Sequence, residues 1–416
     1  NSVYLRVFND GTIKIMNLTP YKIEVEGINL FKRDCIRKSK KKKKKDCIDK
    51  DDLKLSLPSS DLKFYETNLK KNLDNYESIS LNVKYKTQNL KSSKFDIENI
   101  QYSKLKNQKT LDINNFKIID NNLIFDEGIT KIEKPLILPK NFNLIISAGS
   151  KLLFGKDAFI EIDGGTIQAL GTDDKKILFH SISDKEYWNG LLVKNSRGKS
   201  IFKNVIFKNL DYFRTFNTFL TGSINFYKSD VDFDNTIFEN SKAEDFLNIT
   251  HSKFKIEKSS FMNCVSDALD SDFSNGRIIS SEFFNIDGDA VDFSGSKVEV
   301  LENKFNFIKD KSISAGEISK IDSENNHFLN SSIAITSKDQ SIVTTKNDKF
   351  ENSILYDVAA FNKKSFYKVG GQVFIKDDKY NIDLKMKSDL LSKIFINGRA
   401  IKNEKFDISE IYSKWD

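Results

Sequence analysis

The chain has 416 residues, with 66 Lys and Arg against 59 Asp and Glu, only 4 Pro, and a formal net charge of +7. Six of the positive charges form one run, Lys40 to Lys45, so the remainder is close to neutral. It lacks the spread basic face of a nucleic-acid binder. No apolar stretch reaches the roughly 18 residues of a transmembrane helix, and no Cys/His cluster has metal-ligand spacing.

Residues 1–112 predict a small antiparallel β-sandwich-like domain. Val3 to Val7, Lys22 to Ile28, Leu53 to Leu57 and Ile79 to Tyr85 alternate apolar and polar residues, as half-buried strands do. The Lys run lies between two of them, as a solvated loop would. Cys35 and Cys47 bracket that run. They could close a short disulfide loop in an oxidising compartment or stand as two free thiols. No signal peptide is visible ahead of Asn1, and a processed N-terminus is expected.

From about residue 113 to 378 the pattern predicts a right-handed parallel β-helix. Phe-x-Asn recurs at Phe238, Phe261, Phe283, Phe328 and Phe350, with Phe305 in register and Phe307 where Asn is expected. Successive Phe spacings are 23, 22, 22, 23 and 22. Units of this length without helical periodicity bury a core only by stacking on their neighbours. The Phe column should stack inside, and the Asn column should occupy a turn, where Asn tolerates left-handed backbone. An earlier copy at Phe207 lies 31 residues before Phe238, so one coil carries an insertion of nine residues.

A second register supports the first. Leu247, Leu269, Val291, Ile313 and Ile335 are spaced by 22 and should point inward. The residues between inward positions should point outward, because strand side chains alternate. They form three short-chained columns: Phe246, Ala268, Ala290, Ser312 and Ala334; Asn248, Asp270, Asp292, Ser314 and Thr336; and Thr250, Asp272, Ser294, Gly316 and Lys338.

Asp270 and Asp292 should stand one coil apart. At about 5 Å and an effective dielectric near 20, two such charges repel by about 3 kcal/mol. A cation such as Ca²⁺, a Lys or a shared proton would relieve that. Asp245, Asp267 and Asp289 form a second ladder just before the strand, at a position where Asp also suits a turn. Candidate binding residues are therefore Asp267, Asp289 and Asp272, with Asp270 and Asp292 as a candidate carboxylate pair for glycoside chemistry or a Ca²⁺ site. Lys338 lies three coils from Asp272, so direct pairing of those two is not expected.

The inserted coil adds Tyr212, Phe213, Phe216 and Phe219. Such aromatics either bind sugars and partners or fold back onto the short-chained face. Residues 379–416 predict strands that cap the solenoid, with a turn at Asn397-Gly398.

Thr221 to Ser229, Glu244 to Asn248, Ser266 to Asp270 and Gly288 to Ser296 resemble bacterial right-handed β-helix proteins of the kind found C-terminal to CotH-type, spore-coat-kinase-like domains. That resemblance implies an envelope or extracellular setting and brings no catalytic residues to transfer. The spacing of Asp267, Asp270, Asp289 and Asp292 is similar to that of β-helical polygalacturonases. The Gly-His-Gly and Arg-Ile-Lys motifs that follow in those enzymes are missing, and no His or Arg falls on this face. Three functions remain open. The first is a non-catalytic, envelope-associated β-helix that binds or displays polysaccharide or a protein partner. The second is a polysaccharide lyase or glycoside hydrolase using Asp270 and Asp292. The third is a structural spacer.

Overall fold

The structure is a computed structural model. It describes residues 3–8, 10–17, 22–33, 47–58, 65–85, 88–91, 95–98, 116–215, 218–376, 384–404 and 411. The chain forms two compact units, one of residues 1–109 with 214–219, the other of 110–213 with 220–416. The Lys40–Lys45 run and Cys35 lie outside the described residues, and with them the question of a Cys35–Cys47 bond.

The first unit is a nine-stranded sheet, mostly antiparallel, with one parallel pair where Val7 meets Ile97. Its core gathers Val7, Ile13, Ile15, Ile28, Leu30, Ile79 and Leu81. These are apolar members of the alternating runs, so one face of each strand is satisfied by burial.

The second unit is a right-handed parallel β-helix of about 12 turns. Each turn lays down a strand on each of up to three faces. Face I runs from Asn122–Phe125 to Lys393–Ile396, twelve strands in parallel register. Face II runs from Gly128–Ile132 to Lys349–Glu351, and face III from Leu136–Ile137 to Met386–Ser388. The stack continues through Lys393–Ile396, which pairs with Gln372–Lys376. Beyond the Asn397-Gly398 turn, Arg399–Ala400 folds back antiparallel and covers the last edge.

The Phe column is the axis of the core. Phe238, Phe261, Phe283, Phe305 and Phe328 are fully buried, and successive rings stack 4.2, 5.0, 4.9 and 5.0 Å apart, nearly coplanar. Trp188 joins it lower down, stacked on Phe154 at 4.0 Å. The Asn column occupies left-handed backbone, with φ of 63° at Asn240, 58° at Asn263 and 56° at Asn285. Each Asn side chain donates to the one below it, Asn263 to Asn240 at 3.2 Å and Asn285 to Asn263 at 2.8 Å.

Polar ladders that the sequence reading did not single out hold two further corners. The Ser252 amide donates to Ser274 Oγ, the Ser274 amide to Ser296 Oγ and the Ser296 amide to Ser319 Oγ, each at 3.0 Å. A parallel series runs from Ser259 through Ser281 and Asn303 to Asn326. These side chains supply the acceptors that bent backbone would otherwise lack.

Candidate functional site

Face III carries the candidate site, and its register is the one the repeat predicts. Asn225, Asn248, Asp270, Asp292, Ser314 and Thr336 are paired strand to strand, as are Tyr227, Thr250, Asp272 and Ser294. Leu247, Leu269, Val291, Ile313 and Ile335 point into the core.

The first of the three expected outward columns is a correction. Phe246, Ala268, Ala290 and Ala334 are fully buried in the core, and Phe246 packs edge-on against Phe238 at 5.6 Å. Ser312 is fully buried as well, hydrogen-bonded to Ser331 Oγ at 2.7 Å. These residues sit where the chain bends from face II to face III. There the ladder pairs Gly222 with Asp245 and Ile224 with Leu247 but leaves out the pair between them, and Phe246 and Leu247 are both buried, so simple alternation fails.

The outward face is open only in its middle. Asn248, Asp270, Asp292, Tyr227, Thr250, Asp272 and Ser294 are half-buried. Asn225 at one end and Ser314, Thr336 and Ala359 at the other are buried. At the lower end the inserted coil folds back. Phe213 is fully buried against Phe159 and Leu192, and its amide donates to the Gly222 carbonyl at 3.0 Å. At the upper end Ile411 packs on Ile333, Ala359 and Phe361. Four paired rungs remain open, about 15 Å along the axis at about 4.8 Å each.

The predicted aromatics therefore divide. Phe213 covers the face rather than offering a binding surface. Tyr212 lies beside the acidic residues. Burial first, then Glu244, Asp211 and Asp245, raise its phenol above the usual range. Phe219 pairs with Arg214 through an isolated antiparallel bridge. Phe216 lies outside the described residues.

Six aspartates gather at the window. Asp267, Asp289 and Asp292 bring carboxylate oxygens within 4.8 Å of one another. Asp267 accepts the Asp289 amide at 2.7 Å, and Asp289 accepts the Lys311 amide at 3.0 Å, so this ladder also fastens each coil to the next. Asp245 accepts from Thr221 Oγ1 at 2.8 Å. Asp270 faces Asn248 Nδ2 at 3.4 Å.

Two buried lysines answer part of this charge. Lys311 Nζ lies 3.2 Å from Asp289 and 2.6 Å from Asp310. Lys338 Nζ donates to Ser314 Oγ at 2.7 Å and lies 3.7 Å from Asp292. Lys338 reaches back past Gly316, where a Cβ would stand 3.5 Å from Lys338 Cε. The repeat alone places Lys338 three coils from Asp272 and gives no expectation for Lys311. The available signal for Lys311 is the ladder itself, in which Asp245, Asp267 and Asp289 are followed after 22 residues by a lysine.

The carboxyl groups are driven apart in proton affinity. Burial, then Asp245, Asp272 and Asp292, hold Asp270 well above the usual carboxylate range. Burial and the neighbouring Asp289 and Asp292 push Asp267 up to about 9. Burial also lifts Asp245 to about 7, and Asp272 and Asp289 to about 6. Burial opposes the charge of Asp292 too, but Lys338, Lys311, the Ser314 hydroxyl and Lys363 outweigh it and hold that group low. Register-paired Asp270 and Asp292 thus have proton affinities shifted in opposite directions. The Asp267, Asp289 and Asp292 oxygens suit a hard cation. Lys311 and Lys338 already meet part of that demand.

No family model and no curated protein matches the chain, so the CotH association finds no support there. Among solved structures it is similar to the surface protein and adhesin PfbA of Streptococcus pneumoniae, at 12% identity and TM-score 0.42, over 66% of this chain and 88% of that one. It is also similar to the catalytic unit of a GH87 α-1,3-glucanase from Streptomyces thermodiastaticus, at 9% identity and TM-score 0.41, over 96% and 87%. A mutant of the periplasmic alginate epimerase AlgG matches at 11% identity and TM-score 0.38, over 65% and 78%. None of these likenesses assigns a role to a residue of this chain.

Proposed function

We propose that the chain binds an extended polysaccharide along the open window of face III, in the cell envelope or outside the cell. The observation that carries this is the window itself. Short polar side chains on paired rungs form a floor open for about 15 Å and closed at both ends by apolar packing. Such a floor offers repeated hydrogen-bonding groups at a regular spacing, which suits a repeating polar polymer.

Co-sedimentation with a panel of insoluble and soluble polysaccharides tests the reading. Thr250→Trp, which fills the window from a half-buried position, should abolish binding while the melting temperature is kept. Binding that survives Thr250→Trp would remove the proposal.

One observation favours a second reading, hydrolysis or elimination on the bound polymer. Burial and the neighbouring aspartates raise the proton affinity of Asp270, while Lys338, 3.7 Å away, helps to hold that of Asp292 low. An acid and a base then face the same ligand. Release of reducing ends or unsaturated products, lost in Asp270→Asn, would support it. Silence on every bound polymer between pH 4 and 9 would dismiss it.

A further inference from the structure

The last two turns at the corner from face III to face I carry a surface that the open window does not use. Residues 362–371 join Tyr356–Phe361 to Gln372–Lys376. One coil on, residues 389–392 join Met386–Ser388 to Lys393–Ile396. The first of these loops holds Lys363, Lys364, Lys368, Phe366, Tyr367 and Val369 and no acidic residue. Hydrogen bonds tie the two loops together. The Asn362 amide donates to Asp389 Oδ2 at 2.8 Å, and the Gly370 amide to the Leu391 carbonyl at 2.9 Å. The Lys363 and Lys364 amides donate to Asp339 Oδ1 at 2.7 and 2.9 Å, and Asn362 Nδ2 to the Tyr367 carbonyl at 2.7 Å. The backbone is thus held, yet its apolar tips meet water. Phe366 is 72% exposed, Leu390 69%, Leu391 52% and Val369 42%.

One exposed apolar side chain is ordinary, but four on two hydrogen-bonded loops form a surface that calls for a cover. Charge says what kind. The acids that meet these loops are turned inward. Asp339 and Asp389 are buried and accept backbone amides, and Glu317 pairs with Lys364. Lys363, Lys368 and Lys393 are exposed beside the apolar tips. A second copy across a two-fold axis would bring two sets of lysines together. A soluble phosphate polymer would meet the lysines and leave the leucines in water. The surface of an anionic bilayer answers both, with the tips in the headgroup boundary and the lysines against the phosphates.

We propose that the paired loops 362–371 and 389–392 dock the end of the β-helix on an anionic lipid membrane. Phe366, Val369, Leu390 and Leu391 enter the interface, and Lys363, Lys368 and Lys393 face the lipid phosphates. This goes beyond the polysaccharide reading and does not depend on it.

Co-sedimentation of the whole chain with vesicles tests it, using phosphatidylcholine alone and an equal mixture with phosphatidylglycerol. The chain should bind the mixed vesicles and bind phosphatidylcholine about ten-fold more weakly. Leu390→Ser with Leu391→Ser should weaken binding to the mixed vesicles about ten-fold, and so should Lys363→Gln with Lys368→Gln. Both pairs should leave the melting temperature unchanged, because the altered side chains are exposed. In Phe366→Trp, tryptophan emission measured against the parent should move to shorter wavelength on mixed vesicles and stay in place with soluble polyphosphate. Binding that either pair of substitutions leaves unchanged overturns the inference, since attraction to Lys40–Lys45 alone would ignore the leucines. An absence of vesicle binding, or an unshifted Phe366→Trp emission on vesicles, also overturns it. So does a concentration-dependent dimer in gel filtration that Leu390→Ser with Leu391→Ser dissolves, which would give the surface to a second copy. Thr250→Trp, which blocks the window, should leave vesicle binding intact, and its loss there would overturn the separate site.

Discussion

Asp267 shows how one side chain serves two demands. Its Oδ1 accepts the Asp289 amide at 2.7 Å, which fastens successive coils, while burial and nearby aspartates resist its ionisation. The folded protein therefore keeps protons that an unfolded Asp gives up near pH 4. Asp267 keeps its proton up to about 9, Asp245 up to about 7, and Asp272 and Asp289 up to about 6. A raised carboxyl stabilises the fold below the unfolded value, and that contribution is lost as pH climbs through the folded value. The free energy of unfolding should therefore fall between pH 5 and 9. Asp267→Asn keeps an acceptor for the Asp289 amide and removes the titration. It should flatten the slope and stabilise the protein at pH 9 by roughly 2 kcal/mol. Urea midpoints at pH 5, 7 and 9 check this, and a parent profile that is flat or rising would contradict it.

Within the elements, the turn between faces II and III is a ladder with one missing rung. Asn209, Asn240, Asn263 and Asn285 form a continuous run of side-chain hydrogen bonds, and Asn352 bonds to Asn330. Phe307 interrupts the series. It takes the same left-handed backbone, φ 57°, with its ring 51% exposed and in edge contact with Phe284 at 5.8 Å. Asn330 meanwhile bonds Asn306 instead. Phe307→Asn should relieve the backbone cost, add a rung and stabilise the protein by about 1 kcal/mol, less the lost ring contact. A rise in urea midpoint at constant slope is the expected reading, and a fall would show that the aromatic contact matters more.

At the scale of the molecule, the β-helix is a one-dimensional stack in which each coil is held by its neighbours. Phe283 has a ring on each side, at 5.0 and 4.9 Å, and is fully buried. Phe350 closes the series and is only partly buried, against Phe328 at 5.3 Å. Phe283→Ala should cost about 3 to 5 kcal/mol, and Phe350→Ala markedly less. Equal costs, measured by chemical denaturation, would mean that the column is not the organising contact of the stack.

The fold was written in the chain because a solenoid repeats its own solution. One Phe-x-Asn at a fixed interval specifies an inward ring and a turn, and repetition specifies the stack. The pairing of Asp270 with Asp292 and of Asp267 with Asp289 followed from the same counting. Three things did not. Phe246, Ala268 and Ala290 turned inward because a corner breaks the alternation that holds within a strand. Lys338 reached Asp292 because Gly316, one coil away, leaves its path clear. The two ends of the window closed through Phe213 and Ile411, whose partners lie far from them in the chain. Counting residues fixes neighbours along a strand and between adjacent coils. Corners, long side chains and returning segments depend on which spaces the folded stack leaves open, so only the tertiary structure decides where this face meets solvent.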